Sequence, residues 1–349
     1  MTAFLHILPE DGLGGAEIAA RAAATAAPER ITIAVLAGPP AAPHAENVIA
    51  LGGRHPFSPL AAWRAGRLAR GYEVAVFSLW KSALAMLATA LLSPGTRRVL
   101  FLHSDRRVHL PDTLATWLGG LLAHEVWADC QRSLDGVAGL TRALTPTRVI
   151  SFRLGRMAPT RRTTPRPRFI FWGRLNALKR IERAIDLFAR LARDRPEARF
   201  LLIGPDAGSE AALRAQVASL GLDDRITFAG VRSLDEIAAL SADYDIFLQL
   251  SEQEGAAMSL IEAMQLGLVP VVTPVGEMDA YVRPMETGVI YRSPEQAAAD
   301  VARILDDPAL FARISAAAVD HWAGGRLYQD DVAAAAEALA ATAQAGRKR

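Results

Sequence analysis

The feature that most constrains this chain is a recurring short apolar run followed by a stretch of helical periodicity. Residues 2–8, Ile31–Leu36, Asn47–Leu51, Glu73–Phe77, Arg97–Leu102, Glu125–Ala128 and Thr147–Ile150 read as strands. Runs that are apolar on both faces suit buried parallel strands, with helices covering the sheet. Helices are expected at Ser58–Arg70 and Trp80–Leu92. A second series starts at Phe169-Ile-Phe-Trp-Gly173, with further strands at Arg199–Gly204, Ile226–Ala229, Tyr244–Leu250 and Leu268–Thr273. Its helices are expected at Arg180–Arg195, Ala211–Leu220, Leu234–Leu240, Pro294–Leu305 and Pro308–Trp322, with a last Ala-rich helix from about Tyr328 to Ala343. The expected fold class is α/β, with two Rossmann-like, doubly wound domains.

Between the two series, Arg153 to Arg168 is rich in Pro, Arg and Thr and has little apolar periodicity. It reads as a linker. The expected organisation is an N-terminal domain over 1–152, a linker over 153–167, a second domain over 168–325, and a C-terminal helix with a basic tail over 326–349. A length of 349 residues agrees with two cores rather than one.

Composition narrows the class further. One cysteine, Cys130, excludes an intrachain disulfide framework and fits a reducing compartment. The N-terminus lacks a basic region and a cleavage-like site, and the apolar run Ser82 to Leu92 is about half the ~20 residues a membrane span needs. A cytoplasmic protein is expected. Residues 1–168 carry 20 Lys and Arg against 11 Asp and Glu, a net +9, and the remainder carries a net −7. Such asymmetry points the first half toward something anionic. Arg64, Arg67 and Arg70 form a basic stripe beside Leu60 and Trp63, which suits either the surface of an anionic membrane or a solvated helix face. No zinc-finger spacing or RNP-like aromatic stripe is present, so no nucleic-acid partner is expected.

The chemistry concentrates in Ser251-Glu-Gln-Glu-Gly-Ala-Ala-Met-Ser-Leu-Ile-Glu-Ala-Met264. This polar loop and helix start lie just after an apolar strand, where open α/β sheets bind ligands. Glu254 stands in the loop and Glu262 in the helix, with the small residues Gly255, Ala256 and Ala257 between them. Small side chains let a ligand approach the free amides of a helix N-terminus, which favour anions. A carboxylate just before those amides suits a ligand with both phosphate and hydroxyl groups, the profile of a nucleotide sugar. Ser259-Leu-Ile-Glu262 also fits a capping box, and Glu254 also fits a solvated loop residue.

Other strand ends supply further candidates. Arg174 and Lys179 leave a strand end together and can clamp a diphosphate, Arg with a planar fork and Lys with a mobile point charge. Val231 lies in a strand-end loop suited to the wall of a nucleobase site, and His103 ends a first-domain strand on the ligand side. Gly12-x-Gly14 follows the first strand, but Glu17 stands where the third glycine of a dinucleotide fingerprint belongs, so NAD is discounted. A Gly14-Gly15 turn able to approach phosphate remains. No histidine has metal-ligand spacing, and Asp243-Tyr-Asp245 reads as polarity at a strand edge, so no metal is expected.

Gly173-Arg-Leu-(x3)-Lys179, then Glu254-(x7)-Glu262-Ala-Met-(x2)-Gly267-(x2)-Pro270-Val-Val, resembles the C-terminal domain of the family 4 glycosyltransferases. Gly14-Gly-Ala-Glu17 looks like that family's N-terminal glycine loop, and His103 sits where it has an acceptor-side histidine. The resemblance implies a GT-B fold with two domains facing a central cleft. It implies retaining, metal-independent transfer of a hexose from a UDP- or GDP-linked sugar to a glycan or lipid-linked acceptor, in cell-surface polysaccharide or glycolipid synthesis. It assigns Arg174 and Lys179 to the diphosphate, Glu254 to sugar hydroxyls and Glu262 to the ribose. The backbone of Gly255, Ala256, Ala257, Met258 and Ser259 would face sugar and phosphate; Gly14 and Gly15 would approach the diphosphate, and His103 would touch the sugar. The family commonly has a bulky residue where Ala256-Ala257 stand, which bears on the choice of sugar. An epimerase on the same fold, or a silent nucleotide-sugar-binding scaffold, are the alternative readings.

Overall fold

The computed structural model describes residues 3–12, 14–39, 47–103, 109–137, 139–141, 144–160 and 162–347. Leu13 of the glycine loop, Ser104 to Arg107 after His103, and the last two residues of the basic tail lie outside the described residues. The chain divides into two compact units, residues 1–155 with 326–349, and residues 156–325.

The first unit is a seven-stranded parallel sheet. Its strands are β1 (Phe4–Glu10), β2 (Ile31–Ala37), β3 (Val48–Gly53), β4 (Val74–Ser78), β5 (Arg97–Leu102), β6 (Glu125–Ala128) and β7 (Thr147–Val149). They run in the order β3-β2-β1-β4-β5-β6-β7. Helices α1 (Gly15–Ala26), α2 (Pro59–Leu68), α3 (Ala83–Leu92), α4 (Leu110–Leu122) and α5 (Gln131–Asp135) connect them. The helix α4 is absent from the sequence reading, because its exposed Leu110, Leu114 and Trp117 blur an amphipathic pattern.

The second unit holds β8 (Arg168–Trp172), β9 (Arg199–Ile203), β10 (Ile226–Phe228), β11 (Ile246–Gln249), β12 (Val269–Val272) and β13 (Val289–Ile290). Their order is β10-β9-β8-β11-β12-β13, again parallel throughout. Around them lie α6 (Ile181–Ala192), α7 (Glu210–Ser219), α8 (Leu234–Ser241), α9 (Met258–Gln265), α10 (Met278–Tyr281), α11 (Pro294–Asp306) and α12 (Pro308–His321). The helix α6 shows why sequence becomes structure here. Ile181, Ala184, Ile185, Phe188 and Leu191 fall on one face at helical spacing and are buried against Phe169, Phe200 and Leu202 of the sheet. Burying each large apolar side chain contributes about 1.5–3 kcal/mol.

In each sheet the chain starts in the middle and winds outward both ways. The strand order reverses between β1 and β4, and between β8 and β11. Such switch points leave a crevice at the carboxyl ends of the strands.

The segment between the two series is not a free tether. Arg162 is buried; its guanidinium donates to the carbonyls of Tyr244 at 2.9 Å and Ser241 at 2.7 Å, and to that of Leu266. Asp245, also buried, accepts from the Arg166 backbone at 2.7 Å and lies 3.3 Å from Arg162 Nε. The Asp243-Tyr-Asp245 spacing therefore serves strand-edge polarity, at the end of β11 opposite its ligand end. The last helix, α13 (Tyr328–Arg347), belongs to the first unit, where the Tyr328 amide bonds the Arg153 carbonyl at 2.8 Å and Asp331 accepts from the Ser151 amide at 2.9 Å.

Candidate functional site

In the second unit, the carboxyl ends of β8 and β11 bring together residues 75 to 90 positions apart in sequence. After β8 the backbone turns sharply at Gly173, with φ of +149°. Gly204, at the end of β9, lies so close that a Cβ there would sit 1.9 Å from the Gly173 carbonyl oxygen. Only glycine allows that approach, and it sets where the following loop leaves the sheet. That loop carries Arg174 and Lys179. Asn176 accepts from the Lys179 amide at 3.2 Å, and Arg180 takes a left-handed φ of +47° before α6 begins.

Lys179 and Glu254 meet. Lys179 Nζ donates to Glu254 Oε1 at 2.7 Å. The same oxygen accepts from Gln249 Nε2 at 2.6 Å and from Ser251 Oγ at 2.6 Å. A carboxylate with these donors is held in one orientation before any ligand arrives. Beside this pair, Arg180 Nε donates to Glu252 at 2.6 Å, and the Glu252 amide donates to the Leu178 carbonyl at 2.8 Å. The two strand-end loops are thus joined along their length. Arg174 is exposed, and its guanidinium has no hydrogen-bond partner among the described residues.

The helix α9 starts at Met258, with Ala257 in the left-handed region at φ +50°. Ala256 and Ala257 are buried, packing behind the loop. Gly276 seals it from the other side, since a Cβ there would lie 2.4 Å from the Glu254 carbonyl oxygen. Gly255 accepts from the Glu277 amide at 3.3 Å. Ser259 sits inside the helix and caps nothing; its hydroxyl donates to Gln249 Oε1 at 3.1 Å. The capping-box reading of Ser259 and Glu262 is therefore corrected. Glu262 instead accepts from Trp172 Nε1 at 2.7 Å. Burial pushes the Glu262 carboxyl up to about 7, against the lowering effect of that indole bond. Val231 is exposed in the loop after β10, where Gly230 adopts φ +67°.

Three residues of this constellation escaped the sequence reading: Trp172, Gln249 and Ser251. Gln249 was legible in principle. It is a fully buried amide in an otherwise apolar strand, and such a group needs partners.

The first unit places its candidates separately. Gly14 precedes α1 and Gly15 opens it; the Gly14 carbonyl accepts from the Ile18 amide at 3.0 Å. A Cβ on Gly14 would fall 2.3 Å from Glu17 Oε2, so the Glu17 carboxylate folds over this turn. His103 follows β5 with its side chain largely enclosed. Its Nε2 lies 3.0 Å from Ser78 Oγ, which also meets His6 Nε2 at 2.8 Å. Phe101 and Phe152 flank the ring, at centroid distances of 4.4 and 5.5 Å. Burial lowers the His103 pKa to about 3, helped by His6, and that of His6 to about 4. Both are neutral at physiological pH, so His103 can hydrogen-bond but does not carry an acidic proton. Its Nδ1 has no hydrogen-bond partner among the described residues and stands 4.0 Å from Asp129 Oδ2. A cavity of about 360 Å³ lies beside Arg70, Tyr72, Ser93 and Thr96, at the amino ends of β4 and β5, whereas His103 follows the carboxyl end of β5. Among the described residues no His, Cys, Asp and Glu cluster could hold a metal ion, and no helix is long and apolar enough to cross a membrane.

Known proteins share this architecture. A stretch of 146 residues is 30% identical to the GDP-mannose:cellobiosyl-diphosphopolyprenol alpha-mannosyltransferase of Xanthomonas oryzae pv. oryzae, covering 41% of this chain and 38% of that enzyme. The alpha-D-kanosaminyltransferase of Streptomyces kanamyceticus is 29% identical over 153 residues, covering 43% and 39% respectively. The match thus spans about two-fifths of the length of these curated relatives. Over nearly the whole chain, the fold superposes on the crystal structure of Anabaena HepE in complex with UDP, with a TM-score of 0.79 at 20% identity, covering 98% of this chain and 100% of that one. Sucrose-phosphate synthase from Thermosynechococcus elongatus gives 0.74 at 18% identity, covering 100% and 99%. Residues 157–321 match the family model of the glycosyl transferases group 1. The fold of the chain is accordingly GT-B, and its second unit carries the likeness to the group 1 glycosyltransferases.

Proposed function

We propose that this protein is a retaining, metal-independent glycosyltransferase of family 4. It moves a hexose from a UDP- or GDP-linked sugar to a hydroxyl of a glycan or lipid-linked acceptor, in cell-surface polysaccharide or glycolipid synthesis. The observation that carries the proposal is the Lys179–Glu254 contact at 2.7 Å, made at the switch point of the second sheet. It puts a phosphate-binding cation and a hydroxyl-binding carboxylate side by side, as a nucleotide sugar requires.

The chemistry follows from the groups present. Cleaving the bond from the anomeric carbon builds negative charge on the departing nucleoside diphosphate. Arg174 and Lys179 stabilise that charge as it develops, which lowers the barrier. Each charge-assisted hydrogen bond contributes about 1.5–3 kcal/mol. Glu254 orients the sugar through its hydroxyls and Glu262 reads the ribose. The backbone from Gly255 to Ser259 lies against sugar and phosphate, and Val231 walls the base. Gly14 and Gly15 approach the diphosphate. His103, being neutral, serves as a hydrogen-bonding group toward the sugar. With no nucleophilic carboxylate assigned, the proposed route to retention is attack from the face that the leaving group vacates.

The relatives' names support a nucleotide-linked donor: one acts on GDP-mannose with a diphosphopolyprenol acceptor, and HepE was crystallised with UDP. A lipid-linked acceptor would bring the first unit to an anionic membrane. Its α2 presents exposed Leu60 and Trp63, with the Arg67 guanidinium 5.0 Å above the Trp63 ring. A panel of UDP- and GDP-sugars, scored for release of nucleoside diphosphate and for the anomeric configuration of the product, tests the proposal. Release with no donor, or an inverted product, would overturn it.

A further inference from the structure

The indole of Trp172 has a position that the apolar run around it does not require. It is the last residue of β8, buried, with its ring 4.6 Å from that of Phe247 on β11. Ring packing alone would be met by phenylalanine. The Nε1–H instead reaches past β11 to the first helix after it and donates to Glu262 Oε2 at 2.7 Å. Glu262 Oε1 has no hydrogen-bond partner among the described residues, and the residue keeps part of its surface accessible. The two oxygens of this carboxylate are therefore unequal: one is fixed inside the protein and one is presented outward.

We propose that Trp172 is a positioning residue for the nucleotide: by occupying one oxygen of Glu262, its indole N–H aims the other at the vicinal hydroxyls of the donor's ribose. The inference rests on the nucleotide-sugar reading of this site. A carboxylate oxygen accepts from neighbouring hydroxyls in its ionised form, so the indole acts twice. It fixes the angle of the group, and it favours the charged form against burial. No other group does so. Titratable side chains around α9 include Lys179 and Glu254, bonded to each other, Glu277 after β12, Arg313, Asp320 and His321 on α12, and Arg162 on the Leu266 carbonyl at the helix's far end. None is a cause of the Glu262 shift, which comes from burial and the indole bond.

The test is calorimetric binding of UDP and GDP, and of their 2′,3′-dideoxy forms, to wild type and to Trp172→Phe, at about pH 7 and about pH 8.5. Phenylalanine keeps an aromatic ring beside Phe247 and removes the N–H together with part of the larger indole, and the dideoxy forms control for that loss of packing. Loss of that bond lets burial raise the Glu262 pKa further, so the variant binds the preferred nucleotide about fivefold more weakly near pH 7 and recovers most of the difference near pH 8.5. The dideoxy nucleotide, which lacks the hydroxyls, binds both proteins equally. Glu262→Gln abolishes the pH dependence with or without the Trp172 change. If the variant matches wild type at both pH values, or is weakened equally toward the dideoxy form, the positioning role is wrong while the nucleotide reading stands. If wild type binds neither nucleotide, that reading falls and this inference falls with it.

Discussion

Lys179 Nζ and Glu254 Oε1 lie 2.7 Å apart, so the cation assigned to the diphosphate and the carboxylate assigned to the sugar hold each other. On the proposed function, donor binding redistributes this contact, drawing the lysine toward phosphate and leaving Glu254 with Gln249 and Ser251. The two residues should then separate in kinetics. Lys179→Ala is expected to weaken nucleoside-diphosphate binding about 10- to 100-fold, the loss of one charge-assisted bond. Glu254→Gln should leave that affinity within about threefold and reduce transfer by orders of magnitude, since it acts on the sugar. Calorimetry with UDP and GDP, beside turnover of the sugar donor, distinguishes the two. Equal losses in both assays for both variants would refute the division of labour.

Gln249 ties the Glu254 carboxylate to Ser259 in the first turn of α9, from a fully buried position on β11. Gln249→Leu fills the space but leaves the Ser259 hydroxyl unpaired and Glu254 short of a donor. The expected cost is about 0.5–1.5 kcal/mol of stability for the lost hydrogen bonds, since Ser259 is only half-buried and can turn to water. A larger effect on kcat than on donor KM is also expected, because Glu254 is less well oriented. Gln249→Leu with Ser259→Ala should recover much of the stability but not the activity. Thermal melts and steady-state kinetics check both.

His6 and His103 share the Ser78 hydroxyl and are kept neutral by burial, with pKa values depressed to about 4 and about 3. Depressed pKa values mean the fold favours the neutral rings. Their contribution is fully present above the ordinary histidine range, near 6.5, and is lost as pH falls toward those values. Each histidine should cost roughly 1.4 kcal/mol per pH unit in that window. Glu262, raised to about 7, works in the opposite sense: its contribution is present below about 4.5 and lost as pH rises through 7. Melting temperature measured against pH should therefore fall less steeply between about pH 6.5 and 4.5 in His6→Gln than in wild type. An unchanged slope would show that this histidine is not responsible.

On the first unit, Leu60 and Trp63 on α2 and Leu110, Leu114 and Trp117 on α4 are exposed, and Arg67 stacks on Trp63. Aromatic residues interleaved with arginine suit an anionic lipid interface. Sedimentation with phosphatidylglycerol vesicles should retain the wild-type protein and release it as salt rises. Trp63→Ser with Trp117→Ser should abolish retention without altering the melting temperature. Equal binding to neutral phosphatidylcholine vesicles would count against the electrostatic part, and no binding to either would end the membrane proposal.

Much of this molecule was legible before its structure. The alternation of apolar runs and helical periods requires parallel sheets covered by helices, because a strand apolar on both faces has no other way to escape water. The GT-B fold was what the resemblance of the Glu254-(x7)-Glu262 stretch implied, and the strand-edge role of Asp243-Tyr-Asp245 followed from its place before an apolar run. Glycines at 173 and 204 were visible as letters, but their joint necessity was not: it arises from two strand ends approaching too closely for a Cβ. Likewise Ser259 and Glu262 fit a cap by spacing alone. Whether they cap or turn inward depends on where α9 begins, and the left-handed Ala257 sets that start at Met258.

By itself the sequence determined the fold class and the strand ends that carry its charged residues, because hydrophobic periodicity is a local property of the chain. Only tertiary structure decided which of those residues meet. Lys179 finds Glu254 and Trp172 finds Glu262 because β8 and β11, distant in sequence, are neighbours in the sheet. The donors brought together there give each carboxylate its orientation, and burial gives Glu262 a proton affinity that no reading of its neighbours in sequence contains.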